Sequence, residues 1–327
     1  MPVIPPRLPG LAGVQDTFNR FDLKLKATLV EGRSESEFTP VMSAGILDEL
    51  GFMTIDVDRR IFVAGVAEKE KQTFFVVRSP GDAWFKGDTS RGNGDICGFK
   101  SSCDQTAAHW VGKCQAIFLP KGAMEQHLDS IGAQPAIERM RKVNTLRVSP
   151  ALFDDFCRLQ TMGCNGVLRE KAQIYSQLSV ALMCGTDNPD TVVTKNWDRA
   201  FAAFNMAHSV AMGEPISVKE LADALFCSES CINKASKECF GCTIGRLMEC
   251  ARIAQAHIAL ATTTATVKQA MSTYGFTNAG RFAKKHKELF GTLPTQQLPL
   301  LKYSEGKYVA RRIKVELKPY RFRQDLD

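Results

Sequence analysis

The sequence predicts an α+β chain with a β-rich N-terminal domain, a helical segment and a C-terminal all-α domain of two helix-turn-helix units. Three observations carry the prediction. Between residues 52 and 119, short β-branched and aromatic runs alternate with glycine and aspartate turns, the composition of strands. From residue 136 onward apolar residues recur at helical spacing. At 217–241 and 266–291, two capped helix pairs follow one another.

A chain of 327 residues exceeds one typical domain. The expected units are a β-rich domain over 1–135, a helical linker or dimerisation segment over 136–212, the double helix-turn-helix domain over 213–298, and a basic tail over 299–327. Hydrophobic residues make up 44% and charged residues 24%, which suits globular units with sizeable cores. No apolar run is long enough to span a membrane. Residues 1–10 are proline-rich and lack the apolar stretch of a signal peptide. A cytoplasmic protein is expected, in which the eleven cysteines are reduced thiols and not a disulfide frame. The net charge of +7 favours a polyanionic partner only weakly. Much of the excess lies in the tail, at Lys302, Lys307, Arg311, Arg312, Lys314, Lys318, Arg321 and Arg323. Charge alone leaves the tail's role open, and Ile313, Val315 and Leu317 alternate as in a short strand.

Residues 21–29 alternate with a period of two, Phe21, Leu23, Leu25, Ala27 and Leu29, and predict a strand. Further strands are expected at 61–66, 73–77 and 117–119. Gly81-Asp82, 91–95 and Gly112-Lys113 are expected to turn between them. A small barrel or sandwich would accommodate them. Leu152, Phe156 and Leu159, then Ile174, Leu178 and Leu182, mark helices punctuated by Pro150 and by 163–166. Their apolar faces exceed what one small layer needs, which points to a homodimer. Residues 184–189 read as a loop, and 197–210 as a helix.

The first capped pair opens on Ser217-Val-Lys-Glu220, in which a hydroxyl satisfies orphan amides and the glutamate reaches back. Val218, Leu221, Ala222 and Leu225 form its apolar face, and Phe226-Cys227 makes the turn. Ser228 caps the next helix, which buries Ile232, Ala235 and Cys239, ends at Gly241, and exposes Ser230, Asn233, Lys234 and Lys237. In the second pair, Thr266-Val-Lys-Gln269 is again a capping box and Tyr274-Gly275-Phe276 is the turn. Thr277 is expected to cap a helix that buries Phe282, Leu289 and Phe290 and exposes Asn278, Arg281, Lys284 and Lys285.

Lysine and arginine meet phosphates or guanine edges, and asparagine pairs with adenine. A second helix so furnished fits the major groove. The helix expected over 244–260 would then be a strut that sets both reading helices on one face of double-stranded DNA, about 34 Å apart.

Residues 215–295 resemble the AraC/XylS transcription regulators. The likeness rests on Tyr274-Gly-Phe276, Gly280-Arg281-Phe282, Leu289-Phe290-Gly291 and Pro294. Arg252, Ala256 and Leu260 match the linker helix, and Ser228, Ile232 and Gly241 the first unit. The chain departs at Ser236 and His286, where the family places phenylalanine, at Thr243-Ile244 and at Glu288. The resemblance implies base reading by Ser230, Asn233 and Lys234 in the first unit and by Ala279, Gly280 and Lys284 in the second. It also implies promoter DNA and RNA polymerase as partners, activation of transcription, and a sensor domain for a small effector. Phe118-Leu-Pro120 before a helical stretch is similar to the end of some sensor domains.

No cofactor, metal site or catalytic site is expected. Cys227, Cys231, Cys239, Cys242 and Cys250 crowd the first unit, and zinc binding and thiol redox sensing are both weighed, but Cys239-x-x-Cys242 has no partner pair at zinc spacing, so buried small hydrophobes are the better account. His109, His127, His208, His257 and His286 show no ligand spacing and read as surface or satisfied core residues, although His109 beside Trp110 suits a ligand pocket. Gly92-Asn-Gly94 is a turn and not a phosphate cradle. Two other functions are weighed. A cysteine-dependent DNA-repair methyltransferase with a regulator-like domain would need a reactive thiol, yet Cys97, Cys103 and Cys114 sit in no catalytic motif. An effector-independent activator would use its N-terminal half only to dimerise.

Overall fold

The computed structural model describes residues 10–21, 23, 25–30, 37–66, 71–78, 83–85, 88–90, 94–99, 105–187, 196–210 and 216–296. Apart from the short stretch 33–37, the chain divides into two compact units, one running to Trp197 and the other starting at Asp198. Gly81-Asp82, Gly92, Cys103 and the basic tail lie outside the described residues.

The first unit opens with helix α1 (Gly10–Arg20), where the sequence reading has no element. Leu11, Val14 and Phe18 are buried on one face, a helical spacing hidden by the two-residue alternation that follows. Strand β1 therefore starts only at Leu25 (Leu25–Leu29). Then come β2 (Val41–Leu47), β3 (Leu50–Val66), β4 (Lys71–Arg78), β5 (Ala83–Phe85), β6 (Asp88–Ser90), β7 (Asp95–Cys97) and β8 (Gln105–Pro120). After helices α2 (Ala123–Ser130) and α3 (Gln134–Lys142) follow β9 (Thr145–Arg147), α4 (Pro150–Cys164), α5 (Ala172–Cys184) and β10 (Thr186–Asp187). The stretch from Cys184, expected as a loop, thus carries the end of α5 and a short strand.

All described pairings are antiparallel, in the order β1-β3-β8-β4-β7-β9-β10, with β2 on β3 and β5 joining β8 to β6. The long strands β3 and β8 form the spine. Each changes partner along its length: β3 pairs with β2 up to Asp56 and with β1 from Ile61. Gly112-Lys113, expected as a turn, lies inside β8. There Gly112, at φ +86°, faces Val57 just where the β3 register slips between Val57 and Ile61. A positive φ costs glycine little, so it absorbs the irregularity without breaking the strand.

One core joins sheet and helices. Phe52, Phe74, Val76, Ile117 and Leu119 from the strands meet Leu128, Ile137, Met140, Phe156, Leu159, Ile174, Leu178 and Leu182 from α2 to α5. The expected boundary at 135 falls inside this core. The buried apolar faces of these helices pack on the sheet and on one another. Helix α4 crosses β3 so closely that a Cβ on Gly163 would sit 2.3 Å from the Phe52 ring. Gln160 reaches from α4 into the sheet, donating to Met53 O at 2.6 Å and accepting from Gln115 at 2.5 Å. This buried amide is therefore satisfied.

The second unit is all helical: α6 (Trp197–Val210), α7 (Val218–Ala224), α8 (Glu229–Phe240), α9 (Ile244–Thr262), α10 (Val267–Thr273) and α11 (Ala279–Phe290), with a 3₁₀ turn at Pro294–Gln296. Helix α6 has the bounds the sequence predicts, but it lies with this unit and not with the preceding helices. The Phe204 ring on α6 meets the Phe240 ring of α8 at 6.0 Å.

Candidate nucleic-acid interface

Both predicted capping boxes are present, Ser217 with Glu220 on α7 and Thr266 with Gln269 on α10. The exits of these helices also match. The N–H of Cys227 bonds Ala222 O at 3.0 Å, and that of Phe276 bonds Met271 O at 2.9 Å. The residue before each takes a left-handed conformation, Phe226 at φ +51° and Gly275 at +73°. Ser217 thus corresponds to Thr266, and Phe226 to Gly275.

The second helices align one residue further on. Ser228 caps α8 by accepting from Cys231 N, and Asn278 caps α11 by accepting from Arg281 N at 2.8 Å. Gly241 and Gly291 end them, both at positive φ. The second turn therefore holds one residue more than the first. The predicted cap at Thr277 is displaced by this extra residue, and Asn278, expected to face outward as a reader, has its side-chain oxygen engaged in capping.

The shared register explains the two departures from phenylalanine. Ser236 and His286 are equivalent and fully buried, and each bonds the carbonyl of the residue that follows the helix-ending glycine. Ser236 Oγ donates to Cys242 O at 2.8 Å, and His286 Nδ1 to Thr292 O at 2.8 Å. His286 Nε2 in turn lies 3.1 Å from His257 Nδ1 on α9. The pair, 29 residues apart in the chain, gave no spacing signal. Burial lowers the His286 pKa to about 4, and burial together with His286 holds His257 well below its ordinary value.

Ser230, Lys234 and Lys237 on α8 are exposed, and Asn233 is half-buried. On α11, Ala279, Gly280 and Lys284 are exposed, but the first two offer no hydrogen-bonding side chain. Arg281 and Lys285 turn toward α9. Glu249 meets Arg281 at 3.3 Å, Lys285 at 3.5 Å and Arg246 at 3.0 Å. Burial opposes the charge on Glu249, yet Lys285, Arg246 and Arg281 hold its pKa below the usual carboxylate range. Lys285 also meets Glu288 at 3.6 Å and is half-buried. It corresponds to the buried Ala235, so its tether is structural. The register adds three exposed cations that the sequence reading passed over: Lys287, equivalent to Lys237, and the matched pair Lys219 and Lys268 beside the capping boxes. Only the alignment of the two units singles them out from ordinary surface lysines.

Residues 221–298 match the family model described as a helix-turn-helix domain. The two capped helix pairs of the C-terminal unit lie in this helix-turn-helix domain. A probable AraC family transcriptional regulator from Rhodopseudomonas palustris is 26% identical, with TM-score 0.29 over 31% of this chain and 94% of its own. The AraC-like transcriptional activator CuxR is 14% identical, with TM-score 0.38 over 76% and 92%. ToxT from Vibrio cholerae is 12% identical, with TM-score 0.35 over 83% and 96%. No curated protein matches the chain significantly.

Among the described residues no cluster of three potential metal ligands occurs, and no helix is long and apolar enough to cross a membrane. Cys97 and Cys114 are buried, and burial pushes the Cys114 thiol up, away from thiolate chemistry. Outside the helix-turn-helix domain, Lys26 on β1 is a half-buried ammonium with no ion pair among the described residues, and burial lowers its pKa. Thr28, on the same face of the strand, has a buried hydroxyl without a hydrogen-bond partner.

Proposed function

We propose that this DNA-binding transcription regulator lays α8 and α11 in successive major-groove segments of promoter DNA. Ser230, Asn233 and Lys234 would read bases from α8 and Lys284 from α11, while Lys219, Lys237, Lys268 and Lys287 meet phosphates. The supporting observation is the matched register of the two units. Lys234 corresponds to Lys284 and Lys237 to Lys287, and none of the four has an ion pair among the described residues. The solvated-face reading gives no reason for two helix pairs to repeat the same positions. Ala279 and Gly280 carry no donor or acceptor side chain, so base discrimination rests mainly on the first unit. Genomic footprinting tests this reading. Protected segments one helical turn apart on one face are expected, and protection of a single groove segment would refute two-helix reading.

Activation through RNA polymerase, under control of a small effector at the first unit, completes the reading. Lys26 and Thr28 favour an effector with an anionic group, because an unpaired ammonium and an unbonded hydroxyl are costly to bury. Thermal shift of the whole protein against small carboxylates, with Lys26→Met as control, tests that part. Equal shifts in both proteins would exclude this site.

A further inference from the structure

Two thiols flank the cap of α8. Cys227 precedes the capping Ser228, and Cys231 sits one turn into the helix with its N–H donating to the Ser228 hydroxyl at 3.2 Å. Both are half-exposed, whereas Cys239 and Cys250 in the same unit are buried. Arg199 on α6 donates from Nη1 to the Cys231 sulfur at 3.1 Å. Burial, the larger cause, and Cys231 push the Cys227 thiol up while Arg199 draws it down, and the two cysteines stand four positions apart across the cap. The fold does not demand thiols here. At the equivalent positions the second unit has Phe276 and Arg281 and builds the same turn and cap. A cation beside a thiol at a helix N-terminus is the setting in which cysteines react as thiolates.

We propose that Cys227 and Cys231 form a reversible thiol–disulfide site for a hydroperoxide oxidant, and that its closure weakens DNA binding by α8. The Cys231 thiolate attacks the peroxide. An S–O bond forms, the O–O bond breaks, and the departing hydroxide takes a proton to become water. Sulfur is oxidised by two electrons and the peroxide is reduced. The Cys227 sulfur then attacks the sulfenic sulfur, so that S–S forms and S–O breaks, and the Cys227 thiol proton leaves with the departing hydroxide as a second water. A dithiol reductant restores both thiols by exchange. Closure removes the acceptor of Arg199 and draws the residue before the cap against the first turn, beside Ser230. The effect on DNA rests on the function proposed above, whereas the bridge itself does not.

The full-length reduced protein is treated with hydrogen peroxide, mapped by non-reducing peptide mass spectrometry, and titrated with a footprinted promoter fragment. A peptide joining Cys227 to Cys231 is expected. Affinity should fall about tenfold, the equivalent of one base contact, and recover with dithiothreitol. Cys227→Ser and Cys231→Ser, checked for parental thermal unfolding, should bind DNA and ignore peroxide. Full alkylation of both thiols after peroxide overturns the proposal, as does an equal loss of affinity in Cys231→Ser. If the reduced protein binds no DNA, the regulator reading fails while the peptide map still decides the thiol site.

Discussion

His257 Nδ1 and His286 Nε2 lie 3.1 Å apart and tie α9 to α11. The tautomers follow from the third partner. The Thr292 carbonyl only accepts, so His286 Nδ1 carries the proton, its Nε2 accepts, and His257 donates. The His257 ring stacks on Phe290 at 3.8 Å. The two hydrogen bonds require a neutral His286 ring, and burial beside it keeps His257 neutral.

Acid should therefore loosen the second helix-turn-helix unit. The His286 pKa is about 4 when folded, below its unfolded value, so the unfolded chain binds more protons between the two. Stability is complete above the unfolded value and is lost as pH falls toward the folded one, by roughly 3 kcal/mol for His286 alone. His257 acts in the same direction. Urea unfolding of the whole protein, followed by circular dichroism from about pH 7.5 to about pH 4.5, should show the midpoint falling. A flat profile would contradict the pair's neutrality.

Phe226→Gly should stabilise the first unit. The side chain is 98% exposed and contributes no packing, yet its backbone is held at φ +51°, where the second unit uses Gly275. Relief of a left-handed non-glycine residue is worth about 1 kcal/mol. The urea midpoint should rise, and an unchanged or lower midpoint would show that the ring is held by contacts after all.

Lys234→Ala should weaken binding to the footprinted site by about 1–3 kcal/mol if it reads a base. It should instead lower the salt dependence by about one unit if it meets a phosphate. Lys285→Ala should leave affinity near the parent's, because that ammonium serves Glu249 and Glu288. Anisotropy titrations at several salt concentrations separate these outcomes, and a larger loss for Lys285→Ala would reverse the assignment.

Glu249→Gln should strengthen DNA binding, most at low salt, by releasing Arg281 and Lys285 from their shared carboxylate. The slope of affinity against salt should steepen. Unchanged affinity in a folded variant would show that both cations face away from the duplex.

Phe282→Ala should cost the second unit about 3–5 kcal/mol, since the ring is fully buried between Phe276 and His286. Loss of far-UV helical signal at a lower temperature is the readout. Parental thermal stability would place the ring outside the core.

Local chemistry made the C-terminal domain readable. Ser217, Glu220, Thr266, Gln269, Gly241 and Gly291 announce helix ends through their own hydrogen bonds or backbone freedom, and each sits where the spacing placed it. What stayed hidden depends on partners distant in the chain. Glu249 draws in Arg281 and Lys285 across a helix–helix contact, and His257 meets His286, neither of which leaves a periodic trace. The Thr277 cap failed because two capping residues stand side by side and only the turn's length chooses between them. In the first unit, helix α1 was missed beside a strand-like alternation. Over residues 136–184 the spacing marks the helices but not what they cover, because an apolar face does not say whether it will meet a sheet or a second copy of the chain.

The additional residue between α10 and α11 makes the two heads unequal. A single chain therefore has a direction along its target, and no rotation exchanges its ends. Its operator is expected to be non-palindromic, and inverting that element while keeping its distance from the transcription start would present the opposite flank of the protein to the transcription machinery.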